Sequence, residues 1–99
     1  MYPSISIQDF YDLVQDQELA VFDVRAANRY ASGHVSRAIN VPLENLAQEL
    51  DKFDSEKMNY IICQTGVSSQ RACQFLANNG FPVTNVAEGT SQWPGRLEY

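Results

Sequence analysis

The residues able to do nucleophilic chemistry are few: two cysteines, Cys63 and Cys73, and one histidine, His34. Cys63 closes the apolar run Tyr60-Ile61-Ile62-Cys63 and precedes a Gly-centred turn, Gln64-Thr65-Gly66-Val67, after which a helix is predicted from Ser68 or Ser69 to Asn78 or Asn79. A cysteine so placed can lie under converging backbone N–H groups from Gln64 through Ser69, at a helix N-terminus. Such a cradle favours an anion. The thiolate is the nucleophilic form of cysteine, and the same donors would hold an anionic adduct on the sulfur, including a persulfide whose outer sulfur carries charge. Gly66 lets the backbone turn inward. The same pattern is also that of a small buried hydrophobe ending a strand, and spacing alone leaves both readings open. Cys73 shares its helix with Ala72, Leu76 and Ala77, which gives it a packing role, a resolving thiol being the lesser alternative.

The elements that must position Cys63 follow from periodicity. Ser4-Ile5 is extended. Ser6 caps a helix with Asp9 three residues on, and Ile7, Phe10, Leu13 and Val14 share one face of it. Leu19-Ala20-Val21-Phe22-Asp23-Val24 is an apolar run of strand length, the mark of a strand covered on both faces. A short helical stretch from Ala27 to Ala31 leads through Gly33-His34 to a second strand, Ala38-Ile39-Asn40-Val41, closed by Pro42. Leu43, Leu46, Ala47 and Leu50 have α-helical spacing, which would expose Glu44, Gln48, Glu49 and Asp51. Gly80 and Pro82 end the helix after Cys63, and Val83-Thr84-Asn85-Val86 is a last strand. Strands alternating with helices imply βαβ units and a three-layer α/β fold. In open parallel sheets ligands bind beyond the carboxyl ends of the strands, where Cys63 falls.

Composition narrows the function. With 99 residues, one domain spanning 1–99 is expected, and 44% hydrophobic residues with only 4 Pro and 5 Gly are enough apolar surface to order it. Seven Lys plus Arg against twelve Asp plus Glu give a net charge of −5, the wrong sign for a phosphate-binding face, so no nucleic acid is expected. No apolar stretch approaches the ~20 residues of a membrane span, and Met1-Tyr2-Pro3-Ser4 lacks a basic n-region. The expectation is a soluble cytoplasmic protein, without a membrane partner, whose two cysteines are too few for a disulfide scaffold. A lone histidine excludes a His-rich metal site.

Three segments resemble the rhodanese (sulfurtransferase) family. Asp23-Val24-Arg25, Tyr30, Gly33-His34-Val35 and Ala38 to Pro42 resemble that family's DVR…EYxxGHIxGAxNIP signature; Tyr60 to Ser69 is similar to its active-site loop CxxGxR[SA]; and Val83 to Trp93 is similar to its closing V-x-N-[LV]-x-G-G-x-x-x-W segment. The resemblance implies a rhodanese-like fold with a five-stranded, mostly parallel sheet between helices. It implies that Cys63 takes a sulfane sulfur from thiosulfate or a persulfide and passes it to a thiol, cyanide or a protein, through a persulfide held by Gln64, Thr65, Gly66, Val67, Ser68 and Ser69. This is ping-pong covalent catalysis without metal or cofactor. A protein donor or acceptor would present a basic face to this acidic chain.

The departures from the signature concern charge. Ser68 stands where the family commonly places Arg, five residues after the cysteine, which would weaken a thiosulfate site. Arg71, the nearest cation in sequence to Cys63, reads as a solvated side chain of the following helix, with partial replacement of that Arg as the lesser alternative. Arg29 stands for Glu, Arg37 for Gly and Glu88 for the first Gly of the closing pair. Asp23 and Arg25 read as a structural ion pair at a strand end, with Arg25 lending positive potential to the site; His34 and Trp93 read as scaffold and core anchor. A non-catalytic rhodanese-like binding module is the alternative. A cysteine-dependent phosphatase or arsenate reductase comes last, since it would need Arg six residues after the cysteine, where Ser69 stands.

Overall fold

The computed structural model describes residues 2–99. In chain order it contains β1 (Ser4–Ile5), α1 (Ile7–Asp16), β2 (Ala20–Asp23), α2 (Ala27–Ala31), β3 (Ile39–Asn40), β4 (Asn59–Ile62), α3 (Ser68–Asn78) and β5 (Val83–Val86). The five strands form one sheet in the order β1-β5-β4-β2-β3, with each neighbouring pair parallel. All the carboxyl ends therefore lie along one edge.

The strands at the centre alternate between two apolar layers. Phe22, Val24, Ile61, Cys63 and Val83 meet Ala72, Cys73 and Leu76 of α3 together with Val41, Leu46 and Phe53. Val21, Ile62 and Val86 meet Ile7 and Phe10 of α1, with Val35 and Ala38. This two-sided burial is why β2 and β4 read as continuous apolar runs. Edge strand β3 leaves Ile39 exposed on one side. Among the described residues no helix is long and apolar enough to cross a membrane.

The helix ends behave as their residues dictate. Ser6 accepts the Asp9 N–H on its side-chain oxygen at the start of α1, and the Glu88 carboxylate accepts the Ile7 N–H at 2.7 Å, so this departure from the resembled signature caps a helix. At the end of α3, Gly80 (φ 87°) sends its N–H to the Ala77 carbonyl while Phe81 reaches Leu76, a glycine-dependent stop.

One element differs from expectation. Leu43 to Leu50 is not an α-helix: two 3-10 segments, Leu43–Gln48 and Leu50–Lys52, replace it. With three residues per turn, Leu43, Leu46 and Glu49 align toward the protein and Ala47 turns out to solvent, whereas the 3.6-residue reading buries Ala47 and exposes Glu49.

Candidate functional site

Because β4 is flanked by β2 and β5, the loop that leaves it at Cys63 is boxed in by the loops that leave its neighbours. The thiol is nearly enclosed, with Cys63 only 2% exposed. Its Sγ accepts the Gly66 N–H at 3.1 Å and the Ser69 N–H at 3.2 Å, and lies 3.3 Å from Ser69 Oγ. Of the amides from Gln64 through Ser69, these two reach the sulfur within hydrogen-bonding distance. Ser69 is fully buried, while Gln64, Thr65, Val67 and Ser68 are exposed around the loop. The six residues named from the sequence thus divide into a polar floor, Gly66 and Ser69, and a solvent-facing rim.

Gly66 is required twice over. Its φ is 90°, and a Cβ built on it would stand 1.6 Å from the Ala87 carbonyl oxygen. That contact follows from register: Ile61 pairs with Asn85, which brings Cys63 level with Ala87. The segment after β5 completes the clamp. Thr90 donates both its N–H (2.8 Å) and its hydroxyl (3.0 Å) to the Cys63 carbonyl, and Ser91 donates its N–H to the Gln64 carbonyl. A side chain at Gly89 would meet both of those carbonyl oxygens at 2.6 Å. Gly89, Thr90 and Ser91 lie in the closing segment that the sequence resembles, but their contacts with the cysteine loop emerge only from strand adjacency, since parallel neighbours β4 and β5 release their loops at the same edge.

On the other side of β4 stand Asp23 and Arg25. Arg25 Nε and Nη2 donate to the Asp23 carboxylate at 2.7–3.1 Å, Nη2 also donates to the Gly33 carbonyl, and Nη1 donates to Gln64 Oε1 at 3.0 Å. Asp23 is wholly buried and the Arg25 side chain is 8% exposed. The pair is structural, as its place at the strand end suggested, and it is also tied to the cysteine loop through Gln64. His34 is scaffold: its ring stacks on Tyr30 at 3.8 Å, Nδ1 lies 2.9 Å from the Tyr30 carbonyl, and its backbone bridges Glu98. Trp93 packs on Phe10 and Tyr11 of α1 as a core anchor.

Cys73 is completely buried in the layer that also holds Cys63. Burial, and then the neighbouring Cys63 charge, push its thiol up to about 12. It therefore stays a neutral packing group where a thiolate nucleophile is needed. Arg71 on α3 is exposed. A cleft opens between the cysteine loop, the start of α2 and the turn after β3, and there Ser68 and Gln64 face Arg25 and Arg29.

Comparison with known proteins agrees with this architecture. The rhodanese-like domain model matches residues 6–95. The thiosulfate sulfurtransferase GlpE of Coxiella burnetii is 31% identical over 94 residues, which is 94% of this chain and 88% of that protein. GlpE of Shewanella oneidensis is 29% identical over 93 residues, covering 93% of this chain and 92% of that protein. The crystal structure of a rhodanese-like domain protein from Staphylococcus aureus superposes with a TM-score of 0.89 at 28% identity, covering 97% of this chain and 96% of that one.

Proposed function

We propose, starting from the fact that this chain belongs to the rhodanese-like domain family, that it is a sulfurtransferase working through a persulfide on Cys63. The observation that carries this reading is the pair of amide N–H groups on Sγ, from Gly66 at 3.1 Å and Ser69 at 3.2 Å. Backbone amides do not lose their protons near neutral pH or rotate out, and at a site almost closed to water their hydrogen bonds to a charged sulfur are strong. The Ser69 hydroxyl, 3.3 Å from Sγ, can turn its proton toward the sulfur when the sulfur is anionic.

In this mechanism the Cys63 thiolate attacks the outer sulfur of the donor. An Sγ–S bond forms, the donor's S–S bond breaks, and its electron pair departs on sulfite from thiosulfate or on a thiolate from an organic persulfide. The acceptor, whether cyanide, a thiol or a protein thiolate, then attacks the outer sulfur of the Cys63 persulfide and the pair returns to Sγ. A zero-valent sulfur has moved, and neither half-reaction needs an external oxidant or reductant. Thr90 and Ser91 hold the Cys63 and Gln64 carbonyls, Gly89 leaves room for that approach, and Arg25, through Gln64, fixes the start of the loop; these are positioning residues. Ser69 offers a neutral hydroxyl where a phosphatase-type loop needs a cation, which disfavours phosphoryl chemistry. The reading extends to a protein in aqueous surroundings exchanging sulfur with small donors or a protein partner.

The test is turnover: thiocyanate formation from thiosulfate and cyanide, and from an organic persulfide and cyanide. Cys63→Ser is expected to abolish both, while Cys73→Ser retains them. Full turnover in Cys63→Ser refutes the assignment.

A further inference from the structure

The cleft beside the cysteine loop has about 520 Å³ of space, within the ~300–1,000 Å³ usual for organic ligands and far more than thiosulfate occupies. Its walls are apolar, formed by Val24, Pro42 and Leu43, and at one end it meets Gln64 and Ser68 of the cysteine loop. Besides Arg25, two charged residues line it, Arg29 from α2 and Glu44 from the 3-10 segment after β3. Both are exposed, and neither makes an ion pair among the described residues. Arg25, the other cation of the lining, is already neutralised by Asp23 and spends its remaining contacts on Gly33 and Gln64. Ser68 brings a hydroxyl and no charge. The cleft therefore offers a ligand one free cation, one free anion and an apolar floor leading to the sulfur-carrying loop.

We infer that this cleft binds the organic part of a small, carboxylate-bearing persulfide of the amino-acid or short-peptide class, with Arg29 as the carboxylate contact and Glu44 as the ammonium contact. An inorganic donor leaves the apolar walls uncovered. A neutral thiol leaves both charges unmatched, whereas a zwitterion with a short aliphatic body covers the walls and pairs with each. The planar Arg29 fork suits a carboxylate, and the pair sets orientation, since reversing the ligand would oppose like charges. The step served is the loading reaction: Sγ bonds to the outer sulfur of the bound persulfide, its S–S bond breaks, and the electron pair leaves on the organic thiolate, which remains in the cleft until it dissociates.

The inference rests on Cys63 as sulfur acceptor, and its test separates the two. Loading of Cys63 would be followed by intact mass with glutathione persulfide, which carries carboxylates and an ammonium group, and with 2-mercaptoethanol persulfide, which carries neither. Arg29→Glu is expected to lower the ratio of kcat/KM for the first over the second by about tenfold, through KM and not kcat, as the loss of one charge-assisted contact requires. Arg71→Glu removes the same charge outside the cleft and should leave the ratio unchanged. Independently of loading, S-methylglutathione titrated into Cys63→Ser should shift the NMR amide signals of Arg29, Glu44 and Ser68, and Arg29→Glu should remove those shifts. An unchanged ratio in Arg29→Glu, an equal fall in Arg71→Glu, or binding of S-methylglutathione without those shifts overturns the cleft assignment while the sulfurtransferase reading stands. Failure of wild type to load from either persulfide overturns the cleft assignment, and failure to load from thiosulfate as well overturns both.

Discussion

Replacing Gly66 with alanine tests how tightly the cysteine loop is fixed. The new Cβ would stand 1.6 Å from the Ala87 carbonyl oxygen, and real Cβ contacts keep at least 3.0 Å, so the two must separate by about 1.4 Å. Ala87 is held, because its own N–H donates to the Ile5 carbonyl of β1 and its strand is paired on both sides. The movement therefore falls on the loop. The Gly66 N–H, now 3.1 Å from Sγ, would be carried out of hydrogen-bonding range, and the sulfur would keep one amide of two. The anion that these amides stabilise develops on Sγ as an acceptor removes the outer sulfur, so losing one preorganised donor should slow discharge of the Cys63 persulfide about 10²-fold. A left-handed non-glycine residue and the forced shift together should lower stability by about 2–4 kcal/mol. The assay is the rate at which cyanide discharges the Cys63 persulfide, read by quench and intact mass on protein shown by circular dichroism to be folded, beside a urea titration. A wild-type discharge rate with a wild-type urea midpoint would refute this reasoning.

Three further predictions come from groups around the site. Asp23→Ala leaves the buried Arg25 guanidinium without its carboxylate and should cost about 3–5 kcal/mol in urea unfolding; a loss below about 1 kcal/mol, the value of an exposed pair, would contradict this. Arg37 adopts φ 68° while its ion pair with Glu18 is solvent-exposed, so Arg37→Gly should relieve left-handed strain and stabilise the protein by about 0.5–1 kcal/mol, measured by thermal melting. Cys73 titrates near its ordinary value of 9.0 when unfolded but only at about 12 when folded. Above pH 9 the unfolded chain thus holds fewer protons than the native one, and stability is lost as pH rises toward 12. Urea midpoints of wild type should fall more steeply between pH 8 and pH 10.5 than those of Cys73→Ala, and parallel curves would deny the buried thiol this role.

The sequence is most informative where one strong local rule acts. The apolar runs of β2, β4 and β5, the cap at Ser6 and the stop at Gly80 are each dictated by residues within a few positions of one another, and they appear as expected. Cys63 at a strand's carboxyl end is legible for the same reason. The Leu43–Leu50 segment misleads because leucines at 43, 46 and 50 satisfy an α-helical stripe and nearly satisfy a 3-10 one; the placements of Ala47 and Glu49 tell them apart. What stays hidden is contact between distant segments. Nothing local to Thr90 announces that its hydroxyl holds the Cys63 carbonyl, nor does anything at Glu88 show that it caps α1; both depend on the order in which parallel strands are laid side by side. Likewise Arg71 is close to Cys63 in sequence, but Arg25 and Arg29, much farther along the chain, are the cations that line the cleft with Ser68.

The central claim is that Cys63, held by the Gly66 and Ser69 amides, accepts a sulfur atom. The most direct measurement is the intact mass of the reduced protein after exposure to thiosulfate or to glutathione persulfide, for wild type, Cys63→Ser and Cys73→Ser. Wild type and Cys73→Ser are expected to gain one sulfur, reversed by cyanide, and Cys63→Ser to gain none. A gain that persists in Cys63→Ser, or one lost in Cys73→Ser alone, would contradict it.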